Sequence, residues 1–260
     1  MKSLGLVTDL LVMTGFSVIE PQGTALVQRS VNEPNFWFGN RLILSDMSAD
    51  PQDCLQMFQT AFPDAHHVTI SWDQPQWTAQ DIPDGFAKAG LTIDCEDILT
   101  LSNPLNRTNV PDGITIRAFE KTSDWDQSED IQFDVMMDEG YSPDGTKDYL
   151  RKRSKTRRLQ IADGLGQWFG AFEGEILVGD MGIFHDQNVI RYQSVQTHKS
   201  YRGRGICSVL LCKALDWAQA RAPMATPVIS AMADSVAGRL YRRAGFQHSE
   251  NLISAFRGPL

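Results

Sequence analysis

The chain has 260 residues, 42% of them hydrophobic, so it is long enough for one large domain or two small ones with a buried core. Its formal net charge of −8 argues against general binding to nucleic acid. No apolar run is long enough to span a membrane, and residues 4–16, which Asp9 interrupts, lack the small-residue cleavage site of a signal peptide. We therefore expect a cytoplasmic protein with no membrane partner.

Strand-like and helical segments alternate in the N-terminal half. β-Branched and aromatic residues predict strands at 25–30, 37–44 and 67–72, and apolar spacing predicts a helix at 51–62 and another that ends at Lys88. The aromatic segment 35–40, which contains Trp37, is interpreted as the entrance of a core strand, with a pocket shared between the halves as the alternative.

A run of turn-forming residues at 103–113 separates this half from the rest of the chain. Beyond it, strands are predicted at 114–119, 167–172, 176–184, 189–197, 226–233 and 247–257, and helices at 123–139, 146–162, from 206 until Pro223, and at 235–244. Elements in this order form a mixed central sheet flanked by helices, so the predicted fold class is α/β (α+β). We predict domains at residues 1–106 and 107–260.

The segment after the strand at 189–197 carries the most information about function. Tyr201-Arg202-Gly203-Arg204-Gly205 leads directly into an amphipathic helix, and residues 187–215 contain no Asp or Glu. Glycines allow close backbone approach, a helix N-terminus offers unpaired N–H groups, and arginines add positive charge. We interpret the segment as a phosphate cradle, with an ordinary strand-to-helix turn as the alternative.

Two segments resemble motifs of the GNAT superfamily of N-acetyltransferases. Arg202-Gly203-Arg204-Gly205-Ile206-Cys207 is similar to the family's cofactor loop, Arg/Gln-x-x-Gly-x-Gly/Ala, except that Cys207 occupies the last position. Residues 234–246 are similar to Asn-x-x-Ala-x-x-Leu-Tyr-x-x-x-Gly-Phe, with Asp234 in place of the Asn. The resemblance covers roughly residues 114–257.

The resemblance implies a GNAT-like fold that binds acetyl-CoA, without a metal, and transfers its acetyl group to an amine. The cofactor-binding residues that it implies are Val195, Thr197, Arg202, Gly203, Arg204, Gly205, Ile206, Cys207 and Asp234. It implies that Tyr241 protonates the departing thiolate, since a phenol of pKa about 10 can donate to a thiolate whose conjugate acid has a pKa of about 8.5. A half-buried tyrosine that only packs its ring is the alternative.

The general base is left open by the sequence, with Glu139, Glu173 and His185 as weak candidates. Residues 120–139 are strongly acidic and residues 147–158 strongly basic. The simpler interpretation is two solvated helix faces that attract one another. In the alternative, the acidic helix borders the acceptor site and favours a cationic amine, and the basic run contacts nucleic acid or the 3′-phosphate of the cofactor.

A short parallel indicates a degenerate internal duplication. Phe86-Ala87-Lys88-Ala89-Gly90-Leu91 parallels Tyr241-Arg242-Arg243-Ala244-Gly245-Phe246, as in tandem members of the family. Phe86 has no hydroxyl, and the N-terminal half has no glycine-rich loop, so we expect this half to be structural or to shape the substrate site.

The functional prediction is therefore an acetyl-CoA-dependent N-acetyltransferase, as a monomer or a dimer. A CoA-binding regulatory or scaffold module is the alternative. The four cysteines lack metal-binding spacing, so we expect no disulfide framework and no zinc.

Overall fold

The protein is described from a computed structural model that covers residues 1–34, 36–46, 50–138 and 140–258. The chain divides into two compact units. The first comprises Met1–Leu99, Ser230–Leu240 and His248–Leu260, and the second comprises Thr100–Ile229 and Tyr241–Gln247. Because both units are discontinuous in sequence, the division at residues 106 and 107 stays a prediction about folding units.

The elements confirm the predicted mixed α/β class. The helices are α1 (Leu4–Leu11), α2 (Pro51–Ala61), α3 (Asp84–Lys88), α4 (Thr122–Asp138), α5 (Thr146–Ala162), α6 (Ile206–Gln219) and α7 (Val236–Ala244). The strands are β1 (Val18–Gln22), β2 (Ala25–Arg29), β3 (Arg41–Leu44), β4 (Val68–Trp72), β5 (Thr92–Thr100), β6 (Ile114–Ala118), β7 (Gly166–Glu173), β8 (Ile176–His185), β9 (Val189–Thr197), β10 (Thr226–Met232) and β11 (Gln247–Arg257). Over the described part of the chain, no helix is long and apolar enough to cross a membrane.

In the first unit, residues from both ends of the chain build one sheet. Strands β1, β2 and β3 are antiparallel neighbours, β3 pairs in parallel with β4, and α2 makes the crossover. The last strand, β11, pairs antiparallel with β4, with Ser254 opposite Ser71. The apolar face of the sheet packs on α2 and α3 through a core that includes Val27, Leu42, Phe58, Ile70, Trp72 and Phe86.

The second unit repeats this arrangement with longer strands. Strands β6, β7, β8 and β9 are antiparallel neighbours, and β9 pairs in parallel with β10 after the crossover helix α6. In both units the parallel pair is thus the one that a helix connects, as the chain geometry requires.

The ends of α3 and α7 have the same backbone hydrogen bonds. In each, the residue after a glycine of positive φ donates its N–H to the carbonyl five residues earlier, Leu91 to Phe86 and Phe246 to Tyr241, both at 3.1 Å. The parallel seen in the sequence therefore extends to local structure. The ring of Phe86 packs edge-on against Trp72 at 5.1 Å, so this position of the first unit belongs to its core.

Three N-terminal features differ from the sequence-based expectation. The predicted strand at 37–44 begins only at Arg41, because Trp37–Gly39 forms a 3-10 turn. Within the aromatic segment 35–40, Trp37 stacks on His67 at 6.3 Å, and Asn35 lies outside the described residues. Helix α1 and strand β1 were not predicted.

Contacts distant in sequence stabilise the start of α1, which explains why the local pattern missed it. Asp73 accepts hydrogen bonds from the N–H groups of Lys2 and Ser3 at 2.7 Å. Glu250 accepts from the Ser3 hydroxyl at 2.7 Å and from the Gly5 N–H at 2.8 Å.

The start of α4 depends on one buried carboxylate. Asp124 accepts the backbone N–H groups of Glu120 and Lys121 at 2.9 and 3.0 Å, which is the half of a capping box that the third helical residue supplies. The guanidinium of Arg117 donates to both of its oxygens at 2.7 and 2.9 Å. These bonds, the Arg117 bond above all, hold the pKa of Asp124 well below its usual range.

We expect Asp124→Asn to lower the free energy of unfolding by about 2 kcal/mol at neutral pH, because an amide cannot accept both guanidinium N–H groups. A lowered folded-state pKa means that the contribution is present above the pKa of an unfolded aspartate, about 4, and is lost as the pH falls through the folded-state value. Urea unfolding at about pH 7 and about pH 3 measures both effects. The exposed change Asp126→Asn on the same helix is the control, and a loss no greater than the control's at neutral pH would contradict this role.

Candidate functional site

The loop between β9 and α6 leaves a helix N-terminus uncapped by any side chain. Gly203 and Gly205 have φ of +79° and +80°, and Gly205 is the N-cap residue of α6 without a side-chain hydrogen bond. A Cβ added at either glycine would meet no atom within 4 Å, so glycine is required here by its conformation and not by crowding. The N–H groups of the first turn of α6 thus have no side-chain cap.

Two arginines lie in this loop, and one glutamate contacts it. Arg202 donates through Nε to the carbonyl of Thr197 at 3.2 Å, and Arg204 lies 3.8 Å from the carboxylate of Glu173. The hydroxyl of Tyr201 also donates to Glu173, at 2.7 Å, and this bond raises the pKa of Tyr201. Glu173, a weak candidate for the base, is thus engaged with the loop.

Strand β9 changes its pairing just before the loop. Gln193 faces Gly182 and Gln196 faces Asp180, so β9 has one more residue than β8 in this interval, which is a β-bulge. Ser194, within the bulge, has φ of +50°. The parallel pairing of β9 with β10 covers residues 189–191 only, so the segment that contains Val195 and Thr197 lies beyond it.

A buried polar cluster lies beside the bulge. Asp180 is fully buried and accepts hydrogen bonds from Ser128 at 2.6 Å, from the Trp168 indole at 2.7 Å and from Gln196 at 2.5 Å. Burial raises the pKa of Asp180, and these donors and the nearby Arg157 oppose that rise. The sequence interpretation missed Asp180, although a single charge within the otherwise apolar strand at 176–184 was a usable signal.

Tyr241 is buried on α7, with its ring 6.4 Å from that of Phe246. Burial raises its pKa well above 10, the nearby Cys207 adds to the rise, and Arg191 opposes it. Across the described ranges the phenol has no hydrogen-bond partner. Tyr241 therefore keeps its proton and can donate it to a ligand atom.

The two departures from the family motifs have different structural effects. Cys207 is the second residue of α6, and burial raises the pKa of its thiol to about 12. Asp234, in the first unit, has φ of +59°, and its carbonyl accepts a hydrogen bond from Arg239. Asn and Asp are the side chains that most readily adopt a left-handed conformation, so Asp234 suits the backbone at its position.

The remaining candidates for the base do not meet at the loop. His185 pairs with Ile190, about 20 Å along β9 from Thr197 by strand geometry. Its ring packs on Trp217 at 5.5 Å, and burial lowers its pKa. Glu139 lies outside the described residues.

The charged faces of α4 and α5 are exposed stripes. The acidic stripe is Asp126, Asp130, Asp134 and Asp138, and the basic stripe is Lys147, Arg151, Lys152, Lys155 and Arg158. Among the residues whose structure is known, no ion pair joins the two stripes, and Arg151 pairs with Asp148 of its own helix at 3.3 Å. The stripes are solvated, as the simpler interpretation has it, but they are not paired with one another.

The corresponding helix of the first unit, α2, begins in a way that excludes a phosphate. Asp50 caps it by accepting the Gln52 N–H at 2.8 Å, Pro51 removes one N–H group, and Asp53 lies in the first turn. Carboxylates therefore lie at the N-terminus of α2, whereas the N-terminus of α6 has no side-chain cap.

Comparison with known proteins gives one family match and several similar folds. Residues 164–248 match the model of an acetyltransferase (GNAT) domain. A search of curated proteins finds no match. A functionally unknown conserved protein from Staphylococcus epidermidis has a TM-score of 0.70 at 11% identity, over 95% of this chain and 96% of that chain.

Two further solved structures are similar over most of their length. A GCN5-related N-acetyltransferase from Kribbella flavida has a TM-score of 0.65 at 16% identity, over 96% of this chain and 93% of that chain. A tandem GNAT protein from the clavulanic acid biosynthesis pathway has a TM-score of 0.56 at 10% identity, over 94% of this chain and 83% of that chain. At these identities the similarity shows the fold.

We expect the Cys207 thiol to resist alkylation, because a thiol of pKa about 12 has almost no thiolate at neutral pH. Its labelling by iodoacetamide at about pH 7.5 should be slower than that of a free cysteine, whose pKa is about 8.5, by a factor of about 100 or more. Peptide mass spectrometry after timed labelling measures the rate at each cysteine, with glutathione as the reference thiol. Labelling of Cys207 at the glutathione rate would contradict the expectation.

Proposed function

We propose that this chain, which carries a GNAT acetyltransferase domain at residues 164–248, transfers the acetyl group of acetyl-CoA to a primary amine. The family match confirms the resemblance predicted from the two motifs, and a GNAT domain supports acyl transfer in general. The observation that carries the finer proposal is the loop at Gly203 and Gly205, where left-handed glycines present an uncapped helix beside two arginines.

The residues around the loop fit the phosphates of acetyl-CoA. The N–H groups of Gly205, Ile206 and Cys207 would bind the pyrophosphate at the positive end of α6, as helix N-termini bind anions. Arg202 would add charge, and Arg204 and Gly203 would contribute through the backbone. The open space at the glycines supports this fit, since no side chain would have to move.

The backbone beyond the β9 bulge fits the pantetheine arm. Because the pairing of β9 with β10 ends at Arg191, the peptide groups at Val195 and Thr197 would hydrogen-bond the arm and point one N–H at the carbonyl that reacts. When bound, acetyl-CoA supplies the thioester carbonyl that the amine attacks. We assign Asp234 to the same arm by its place in the second motif.

Tyr241 is proposed as the proton donor to the departing thiolate. Its raised pKa keeps the phenol protonated at every physiological pH. The same raised pKa would oppose proton transfer to an ordinary thiolate, and burial of the departing thiolate beside Tyr241 would raise the pKa of its thiol in the same direction. The alternative is that Tyr241 only packs its ring, and the Tyr241→Phe variant distinguishes the two roles.

The acceptor is proposed to be a cationic amine. The four aspartates of the acidic stripe on α4 lie on one exposed face, and their negative field would raise the local concentration of cations. We assign no side chain as the base and propose that the proton of the amine leaves through water, since Glu173 is already bonded to Tyr201.

We expect acetyl-CoA at about 100 times its Kd to stabilise the protein by about 2.7 kcal/mol in a thermal unfolding assay. Gly205→Ala should weaken the affinity about tenfold or more, because its Cβ would lie where the phosphates approach. Gly164→Ala is the matched control, since the φ of Gly164, +79°, is nearly that of Gly205 and its surroundings are equally open.

Both variants should lose about 1 kcal/mol of stability without ligand, from left-handed strain alone. Absence of any shift in the unchanged protein, confirmed by calorimetric titration, would overturn acetyl-CoA binding. Equal affinity of the two variants would remove the loop from the site.

We expect Tyr241→Phe to lower kcat about 100-fold or more and to change the KM for acetyl-CoA less than about threefold, as the loss of a general acid does. Steady-state assays with a panel of primary amines measure both constants. Tyr192→Phe is the control, because Tyr192 is equally buried but its hydroxyl donates to the carbonyl of Leu211 at 3.0 Å in the core. An unchanged kcat would leave Tyr241 with packing only, and acetyl-CoA binding without transfer to any amine would favour the regulatory module.

A further inference from the structure

The β9 bulge contains a residue in an unfavourable conformation. Ser194 has φ of +50°, and serine is not among the side chains that readily tolerate this region. Such a conformation persists only where surrounding contacts impose it. The contacts that hold it here come from α5 and β8.

Each neighbour of Val195 is tied to a different element. Arg157, on α5, donates from Nη2 to the Ser194 hydroxyl at 2.7 Å. Gln196 donates to Oδ1 of Asp180, on β8, at 2.5 Å. The peptide groups of Val195 are thereby fixed from both sides, although the Val195 side chain itself takes no part.

The hydrogen bonds around Asp180 require a carboxylate. The Trp168 indole can only donate to it, Gln196 donates through its amide nitrogen, and the Ser128 hydroxyl donates while its own oxygen accepts from Gln132 at 3.1 Å. An amide at position 180 would turn its NH₂ group towards one of these donors. The guanidinium of Arg157 lies 4.6 Å above the Trp168 ring and supplies the nearest positive charge.

We propose that Asp180 and Arg157 are positioning residues, which lock the bulge at Ser194 and so hold the Val195 backbone in the geometry that receives acetyl-CoA; this inference rests on the proposed function. Asp180 is fully buried, so it acts through Gln196, and Arg157 acts through Ser194. The cluster makes the bulge a fixed feature of the protein before any ligand arrives.

Amide hydrogen exchange without ligand tests the lock directly. In Asp180→Asn, exchange in the peptide that covers residues 192–197 should accelerate about tenfold or more, while β2, β3 and β4 of the first unit keep their rates. The Kd for acetyl-CoA should rise about tenfold. Unchanged exchange at 192–197, or acceleration in equal measure throughout the chain, would overturn the inference.

A second pair of variants at position 194 keeps the test decisive if Asp180→Asn does not fold. Ser194→Gly and Ser194→Val both lose the bond to Arg157. Glycine adopts φ of +50° freely and so needs no contact to impose it, whereas valine does not adopt it freely. We expect Ser194→Gly to bind acetyl-CoA within about threefold of the unchanged protein and Ser194→Val about tenfold more weakly. Equal affinities would overturn the lock.

The experiments distinguish a failure of the proposed function from a failure of the positioning role. If the unchanged protein does not bind acetyl-CoA, the proposed function is wrong, and the exchange rates without ligand still decide whether Asp180 holds the bulge. If it binds acetyl-CoA and Asp180→Asn alters neither exchange nor affinity, the proposed function stands and the positioning role is wrong.

Discussion

The interruption of hydrogen bonding along β9 is the constraint on which the rest of the proposed site depends. A backbone group can bind a ligand only if no neighbouring strand already satisfies it, yet leaving such groups unpaired costs free energy in the absence of the ligand. β9 meets both demands by pairing with β8 on one side and ending its pairing with β10 at Arg191. The bulge then turns the last residues of the strand, and the loop places the start of α6 immediately after them.

The two crossover helices show how small changes separate a phosphate site from a structural connection. In both units a helix connects a parallel pair of strands, β3 with β4 through α2 and β9 with β10 through α6. At α6, a glycine of positive φ begins the helix and leaves its N–H groups available. At α2, the cap is Asp50, and negative charge at the helix start stabilises the helix and repels a phosphate. The two units thus differ at the start of the crossover helix, where the proposed function places the phosphates.

The sequence predicted those parts of the fold that depend on local pattern. The strands at 189–197 and 247–257 and the helix at 146–162 have the predicted bounds, because alternation and apolar spacing are encoded within each segment. The glycine loop was predictable for the same reason. Helix α1 was not, since Asp73 and Glu250 stabilise its start from far along the chain. Neither was the buried cluster, because its members come from five elements that only the tertiary fold brings together.

The departures at Cys207 and Asp234 bear on mechanism as well as on binding. Asp234 has a left-handed backbone conformation, which both Asn and Asp tolerate, so the exchange of Asn for Asp chiefly alters charge. Cys207 places a thiol near Tyr241, where a covalent acetyl-cysteine route would have to begin with a thiolate. With a pKa of about 12 that thiolate is scarcely populated. The surroundings of Cys207 therefore disfavour a covalent acetyl-cysteine route and agree with the proposed direct attack of the amine on the thioester.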